Sequence, residues 1–142
     1  MDRLIDYAMK FVGIPYKWGG DNPIDGFDCS GFMQELLQSV GIDPPGDQTA
    51  NVLHRYFSAQ GTVVQNPQAG ALVFYGTLTK MTHIAMCIDS FRIIEAGGGG
   101  SNTLTWEDAA KQAAYIRIRP IRRRKDLQAI IMPRYPAGMG TK

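Results

Sequence analysis

The hydrophobic period of this chain changes once, after about residue 60, and that change constrains the fold more than any other feature. Before it, apolar residues recur at helical spacing. After it, they form short alternating or continuous runs of strand length. Leu4, Ile5, Ala8, Met9 and Val12 predict a first helix over Asp2–Val12, ended by Gly13 and kept from resuming by Pro15. Tyr16–Phe27 is rich in Gly, Asp, Asn and Pro and reads as a loop. A second helix follows over Cys29–Val40. It buries Phe32, Met33, Leu36, Leu37 and Val40, has Asp28 at its N-cap and is closed by Gly41. Pro44-Pro45-Gly46-Asp47 is a turn, and a third helix spans about Thr49–Ala59.

Strands are predicted over Ala71–Tyr75, His83–Asp89, Phe91–Ala96, Tyr115–Arg119 and Asp126–Met132, with a short helix starting at Thr105–Asp108. Helices first and strands later specify an α+β fold with the N-terminal helices packed on one face of an antiparallel sheet. One domain over residues 1–132 is expected. The Pro- and Gly-rich residues 133–142 form a flexible tail.

Composition excludes several alternatives. With 44% hydrophobic and 20% charged residues in 142 positions, the chain can bury one core and is not disordered. No apolar run reaches the roughly 18 residues of a membrane span. Met1-Asp2-Arg3-Leu4-Ile5-Asp6 has charges where a signal peptide is apolar. The expectation is synthesis in the cytoplasm, so that any action outside needs delivery by something other than a signal peptide. Two cysteines, Cys29 and Cys87, are too few for a disulfide scaffold. No CxxC pair accompanies them, so neither a structural metal nor another cofactor is expected.

Charge is distributed unevenly. From Tyr115 to the end lie eight of the 15 basic residues (Arg117, Arg119, Arg122, Arg123, Arg124, Lys125, Arg134, Lys142) and only one of the 13 acidic ones, Asp126. A basic segment of this kind can meet an anionic wall polymer or membrane, but its plainest reading is a solvated strand face. No recognition motif accompanies the arginines, which argues against nucleic acid.

Cys29 falls on the first turn of the second helix. The partial positive charge and unpaired N–H groups of a helix start stabilise a thiolate, and the same N–H groups can hold an oxyanion. Gly31 keeps that turn uncrowded. Read alone, a cysteine here is equally a small buried residue. Of the two histidines, His54 lies inside the third helix and reads as a packing or surface residue. His83 begins a strand beside a loop, where catalytic groups are commonly displayed. If the following turn centres on Asp89, His83 sits directly opposite Glu95 on one sheet face, placed to orient the imidazole. A one-residue slip would destroy the relation. Cys87 shares that face and reads as core, on the side that packs against the helices. Tyr16 and Trp18, in the glycine-rich segment before Cys29, suit a substrate cleft. Trp18 is the better candidate for simple loop packing.

These segments together resemble the NlpC/P60 family of papain-like cell-wall cysteine peptidases. The resemblance rests on Gly13-Ile14-Pro15-Tyr16-Lys17-Trp18-Gly19-Gly20, Asp28-Cys29-Ser30-Gly31, Gly70-Ala71-Leu72-Val73-Phe74 and His83-Ile84-Ala85, in that order over about residues 1–120. It implies a papain-like fold and hydrolysis of peptide bonds in bacterial peptidoglycan, typically D-glutamyl to diaminopimelate or lysine. Cys29 would be nucleophile, His83 base and Glu95 third member, with Tyr16, Trp18, Asp28 and Ser30 on the substrate side. Two positions depart from the pattern: Glu95, where the family usually has His, Asn or Gln, and Ala71, where it usually has Asp. The late segment Tyr115–Pro120 and Arg124–Leu127 is similar to the ends of phage-encoded members, which implies an endolysin or a tail-associated enzyme with phage tail proteins as partners. A non-catalytic virion adaptor, and an amidase or acyltransferase on the same fold, are the competing readings.

Overall fold

A computed structural model describes residues 1–64 and 66–139. Three helices come first: α1 (Asp2–Met9), α2 (Cys29–Ser39) and α3 (Ala50–Gln60). Helix α1 stops three residues before the predicted end; the chain continues in turns to Gly13, whose φ of +95° a side chain would resist. The loop before Cys29 is more ordered than its composition suggests. It carries a two-residue hairpin, β1 (Asp21–Asn22) and β2 (Gly26–Phe27). Asp28 and Thr49 cap α2 and α3 by accepting from the N–H groups of Gly31 and Val52.

The remaining strands are β3 (Thr62–Val63), β4 (Leu72–Gly76), β5 (Met81–Cys87), β6 (Arg92–Gly97), β7 (Tyr115–Pro120) and β8 (Leu127–Met132). They form one antiparallel sheet in the order β3-β8-β4-β5-β6-β7. Helix α4 (Trp106–Gln112) precedes β7 and starts with a reciprocal Thr105–Asp108 capping box. The α+β class and the antiparallel sheet hold as expected; β3 and a 3-10 turn at Ile121–Arg123 are additions. Both are too short to leave a periodic signal.

The core has two parts, one on each sheet face. Leu72, Phe74, Ile84, Met86, Ile94 and Ala96 pack against the helices. Among them Phe11, Phe27 and Phe32 make a contiguous aromatic group with centroids 5.6–5.7 Å apart, which ties α1 and the pre-cysteine loop to α2. The other face carries Ala71, Val73, Tyr75, Ala85, Cys87, Ile93 and Ile130, with Ile121 packed against it. Cys87 is buried, but not on the helix side. Strand β5 is apolar on both faces, so alternation alone leaves the choice of face open. Ile84 and Met86 take the helix side.

Of the tail expected to fray, residues 140–142 lie outside the described residues. Before them, the Tyr135 hydroxyl donates to the Gly70 carbonyl at 2.6 Å, and the Met1 amino group donates to the Met139 carbonyl. Among the described residues no helix is long and apolar enough to cross a membrane.

Candidate active site

The start of α2 is locked from several sides. Asp28 Oδ1 accepts from the Gly31 N–H at 2.7 Å and from the Ser30 hydroxyl at 3.3 Å, while Oδ2 accepts from Gly19 N–H at 3.2 Å. The Asp28 N–H donates to the Gly20 carbonyl at 3.1 Å. Gly31 has to be glycine: a Cβ there would lie 2.1 Å from the Gly20 oxygen. The aromatic loop is therefore clamped directly onto the turn that presents Cys29. Burial raises the Asp28 pKa against these hydrogen bonds. Cys29 itself is half-buried.

His83 arrives from β5 and Glu95 from β6. The registered pairs of these strands are Met86–Ile94 and Cys87–Ile93, so paired numbers sum to 180 rather than the expected 178. The cause is the turn. Asp89 Oδ1 accepts from the N–H groups of both Phe91 and Arg92, which moves the centre of the hairpin to Ser90. Glu95 is therefore diagonal to His83, not directly opposite. A shift of two preserves the face, and the contact survives: His83 Nε2 lies 2.7 Å from Glu95 Oε1.

Burial by itself would lower the His83 pKa. Interaction with Cys29 and with Glu95 outweighs it and holds the imidazole up to about 9. For Glu95, burial pushes the carboxyl up, but the hydrogen bond and charge of His83, with the charges of Arg117 and Arg124, hold it below its ordinary value. With Nε2 engaged by an ionised carboxylate, Nδ1 is the nitrogen left to serve Cys29.

Cys29, His83 and Glu95 line a cleft of about 530 Å³ together with Tyr16, Trp18 and Thr82. Tyr16 is 5% exposed, and burial, then the charges of Cys29 and Asp28, keep its hydroxyl protonated. Trp18 is 52% exposed and lines the open side of the cleft. Asp28 and Ser30 do not line the cleft; they brace the turn beneath it. His54 is elsewhere, edge-on to Phe74 at 5.0 Å, and burial lowers its pKa.

Two further groups of residues line the cleft: the arginines, whose place at the site escaped the sequence reading, and the run Gly97–Gly100, which reads in the sequence as a flexible loop beside Glu95. Arg117, Arg123 and Arg124 all line the cleft, so the basic segment is not simply a solvated strand face. Arg124 is held by both oxygens of Asp126, at 2.9 and 2.7 Å, and its guanidinium lies 5.0 Å from the centre of the Tyr75 ring. The charge run was visible in the sequence, but only the β6–β7 pairing brings Arg117 opposite Glu95. Gly97–Gly100 also line the cleft, and three of these glycines have steric causes. A Cβ on Gly99 would fall 2.3 Å from the Tyr16 ring, one on Gly97 2.8 Å from Glu95 Oε2, and one on Gly98 3.0 Å from Arg117 Nη2.

Residues 13–120 match the NlpC/P60 family. The bifunctional muramidase/DL-endopeptidase CwlT of Bacillus subtilis (strain 168) is 34% identical over 102 residues, covering 70% of this chain and 30% of that protein. The probable peptidoglycan endopeptidase LytE of the same organism is 35% identical over 104 residues, covering 70% of this chain and 28% of that protein. The chain thus spans less than a third of the length of these curated relatives. Among solved structures, an NlpC/P60 family protein from Bacillus cereus ATCC 10987 superposes with a TM-score of 0.68 at 24% identity, over 94% of this chain and 39% of that one. The NlpC/P60 domain of the peptidoglycan hydrolase SagA gives 0.66 at 23% identity, over 90% and 94%.

Proposed function

This chain belongs to the NlpC/P60 family, and from that premise we propose that it is a cysteine endopeptidase that hydrolyses peptide bonds in bacterial peptidoglycan stem peptides, with Cys29 as nucleophile. The observation that carries the reading is the convergence of Cys29, His83 and Glu95 in one cleft, with the imidazole held between thiol and carboxylate.

The chemistry follows from that order. His83 Nδ1 takes the thiol proton, and the imidazolium is stabilised by Glu95 at Nε2. The Cys29 thiolate attacks the scissile carbonyl carbon, and the oxyanion is met by N–H groups at the start of α2. The tetrahedral intermediate collapses as His83 gives its proton to the departing amine, leaving a thioester on Cys29. Water, deprotonated by His83, then hydrolyses the thioester and restores the thiol. Tyr16, neutral and beside Cys29, is a hydrogen-bond donor for the substrate carbonyl or backbone.

The bond we assign is D-glutamyl to diaminopimelate or lysine, on the strength of the family resemblance and of the relative named as a DL-endopeptidase. The setting we assign is a phage tail or endolysin, on the resemblance of the late basic segment.

Purified protein incubated with cell-wall sacculi tests the activity. Loss of turbidity that disappears in a folded Cys29→Ala variant supports it, and full activity in that variant refutes it. Mass spectrometry of products from defined muropeptides decides the bond and separates an endopeptidase from an amidase or acyltransferase. Detection of the chain in purified virions supports the phage setting; its confinement to a host wall fraction counts against it.

A further inference from the structure

Arg117 is directly opposite Glu95 in the β6–β7 ladder, and its Nε lies 3.6 Å from Glu95 Oε2. The two oxygens of Glu95 are thus divided, Oε1 to His83 and Oε2 towards Arg117. The rest of the guanidinium is anchored: Nη1 donates to the Ala113 carbonyl at 3.1 Å, at the end of α4. The Arg117 Nε–H is buried and has no hydrogen-bond partner among the described residues, which native structures rarely tolerate without a reason. The ion-pair distance places Glu95 Oε2 as the acceptor that a small closing movement would supply. Catalytic hydrogen bonds are commonly long in the free enzyme and tighten when substrate is bound.

The glycines after Glu95 fit the same arrangement. Gly97 leaves room for the Glu95 carboxylate and Gly98 for the Arg117 guanidinium, so no side chain can separate the two. The other groups facing Glu95 are His83 from β5, Tyr75 from β4, and Arg124, whose charge is largely answered by its two bonds to Asp126. Arg117 is the cation left for Oε2.

We infer that Arg117 is a positioning residue of the active site, a fourth member behind Glu95 that keeps this carboxylate ionised and turned to His83. A buried carboxylate as third member needs such a counter-charge: hydrogen-bonded to one imidazole alone, it is protonated more readily, and a protonated Glu95 no longer favours the imidazolium. The inference rests on Cys29 being the nucleophile activated by His83.

The test reads thiolate formation directly and needs no wall substrate. The rate of iodoacetamide alkylation at Cys29 is followed by peptide mass spectrometry across pH in the wild type, Arg117→Met, Arg117→Lys and Gly97→Ala. An opposite charge at this range moves a carboxyl pKa by about 1–3 units. The acid limb of the Arg117→Met profile should therefore shift to higher pH, with slower alkylation on that limb than in the wild type. Arg117→Lys should recover most of the shift. Gly97→Ala retains Arg117 but pushes the Glu95 carboxylate aside, and should give the same shift even if Arg117→Met folds poorly. A wild-type limb in folded Arg117→Met, or in Gly97→Ala, overturns this inference alone. An ordinary free-thiol profile in the wild type overturns the nucleophile reading and this inference with it.

Discussion

His83 Nε2 and Glu95 Oε1 meet at 2.7 Å although the residues are diagonal in the sheet, one pleat repeat away from direct opposition. The contact tolerates that displacement because glutamate is long enough to reach along its strand. The length of glutamate fits the register that the Asp89 turn imposes.

The first consequence concerns turnover. Glu95→Ala leaves the imidazole without its orienting partner but does not alter Tyr16 or Trp18. The expected result is a fall in kcat of about 100-fold or more with a much smaller change in KM, measured by steady-state hydrolysis of a defined muropeptide. An unchanged kcat would reduce Glu95 to a structural ion pair.

Stability should depend on the same pair. The folded His83 pKa, about 9, is above the ordinary histidine value of 6.5, so the folded state holds its proton more tightly than the unfolded chain does. That stabilisation is fully present below pH 6.5 and is lost as pH rises through about 9. Urea unfolding should show a decline between these limits of up to about 3 kcal/mol. In His83→Gln the decline over this window should largely vanish.

Gly31→Ala should damage both stability and activity. Its Cβ would sit 2.1 Å from a backbone oxygen, so the loop bearing Tyr16 and Trp18 has to separate from the start of α2. Overpacking of this kind costs about 1–3 kcal/mol. Thermal unfolding should shift down, and the surviving folded protein should hydrolyse muropeptide more slowly. A variant with wild-type stability would show that the clamp between Gly20 and α2 yields easily.

The two cysteines should differ sharply in reactivity. Burial pushes the Cys87 thiol up to about 12, and its side chain is fully buried in the cluster that includes Ile121 and Ile130. Native protein should take one equivalent of iodoacetamide rapidly, at Cys29, and a second only after denaturation. Rapid labelling of Cys87 in native protein would indicate that this face of the sheet opens.

Much of this was legible before any coordinates, and the boundary between what was and what was not is physical. The helical period of residues 2–59, the strand runs beyond residue 70, the Asp28 cap and the placing of Cys29 at a helix start depend on contacts within a few residues. Such information is carried by short stretches of chain. The side-chain parity of His83 and Glu95 was also legible, because any register shift by an even number preserves it. The register itself was not, since it depends on how Asp89 folds its own turn. Nor was the face on which Cys87 lies, because β5 is apolar on both sides. Least legible were Arg117 beside Glu95 and the glycines that give both room. Residues 95 and 117 become neighbours only when β7 pairs with β6, and steric clearance exists only once the surrounding atoms are in place. The sequence by itself thus determined the elements and the mounting of Cys29 at a helix start; the tertiary structure decided which charges surround it, because those distances are made by segments far apart in the chain.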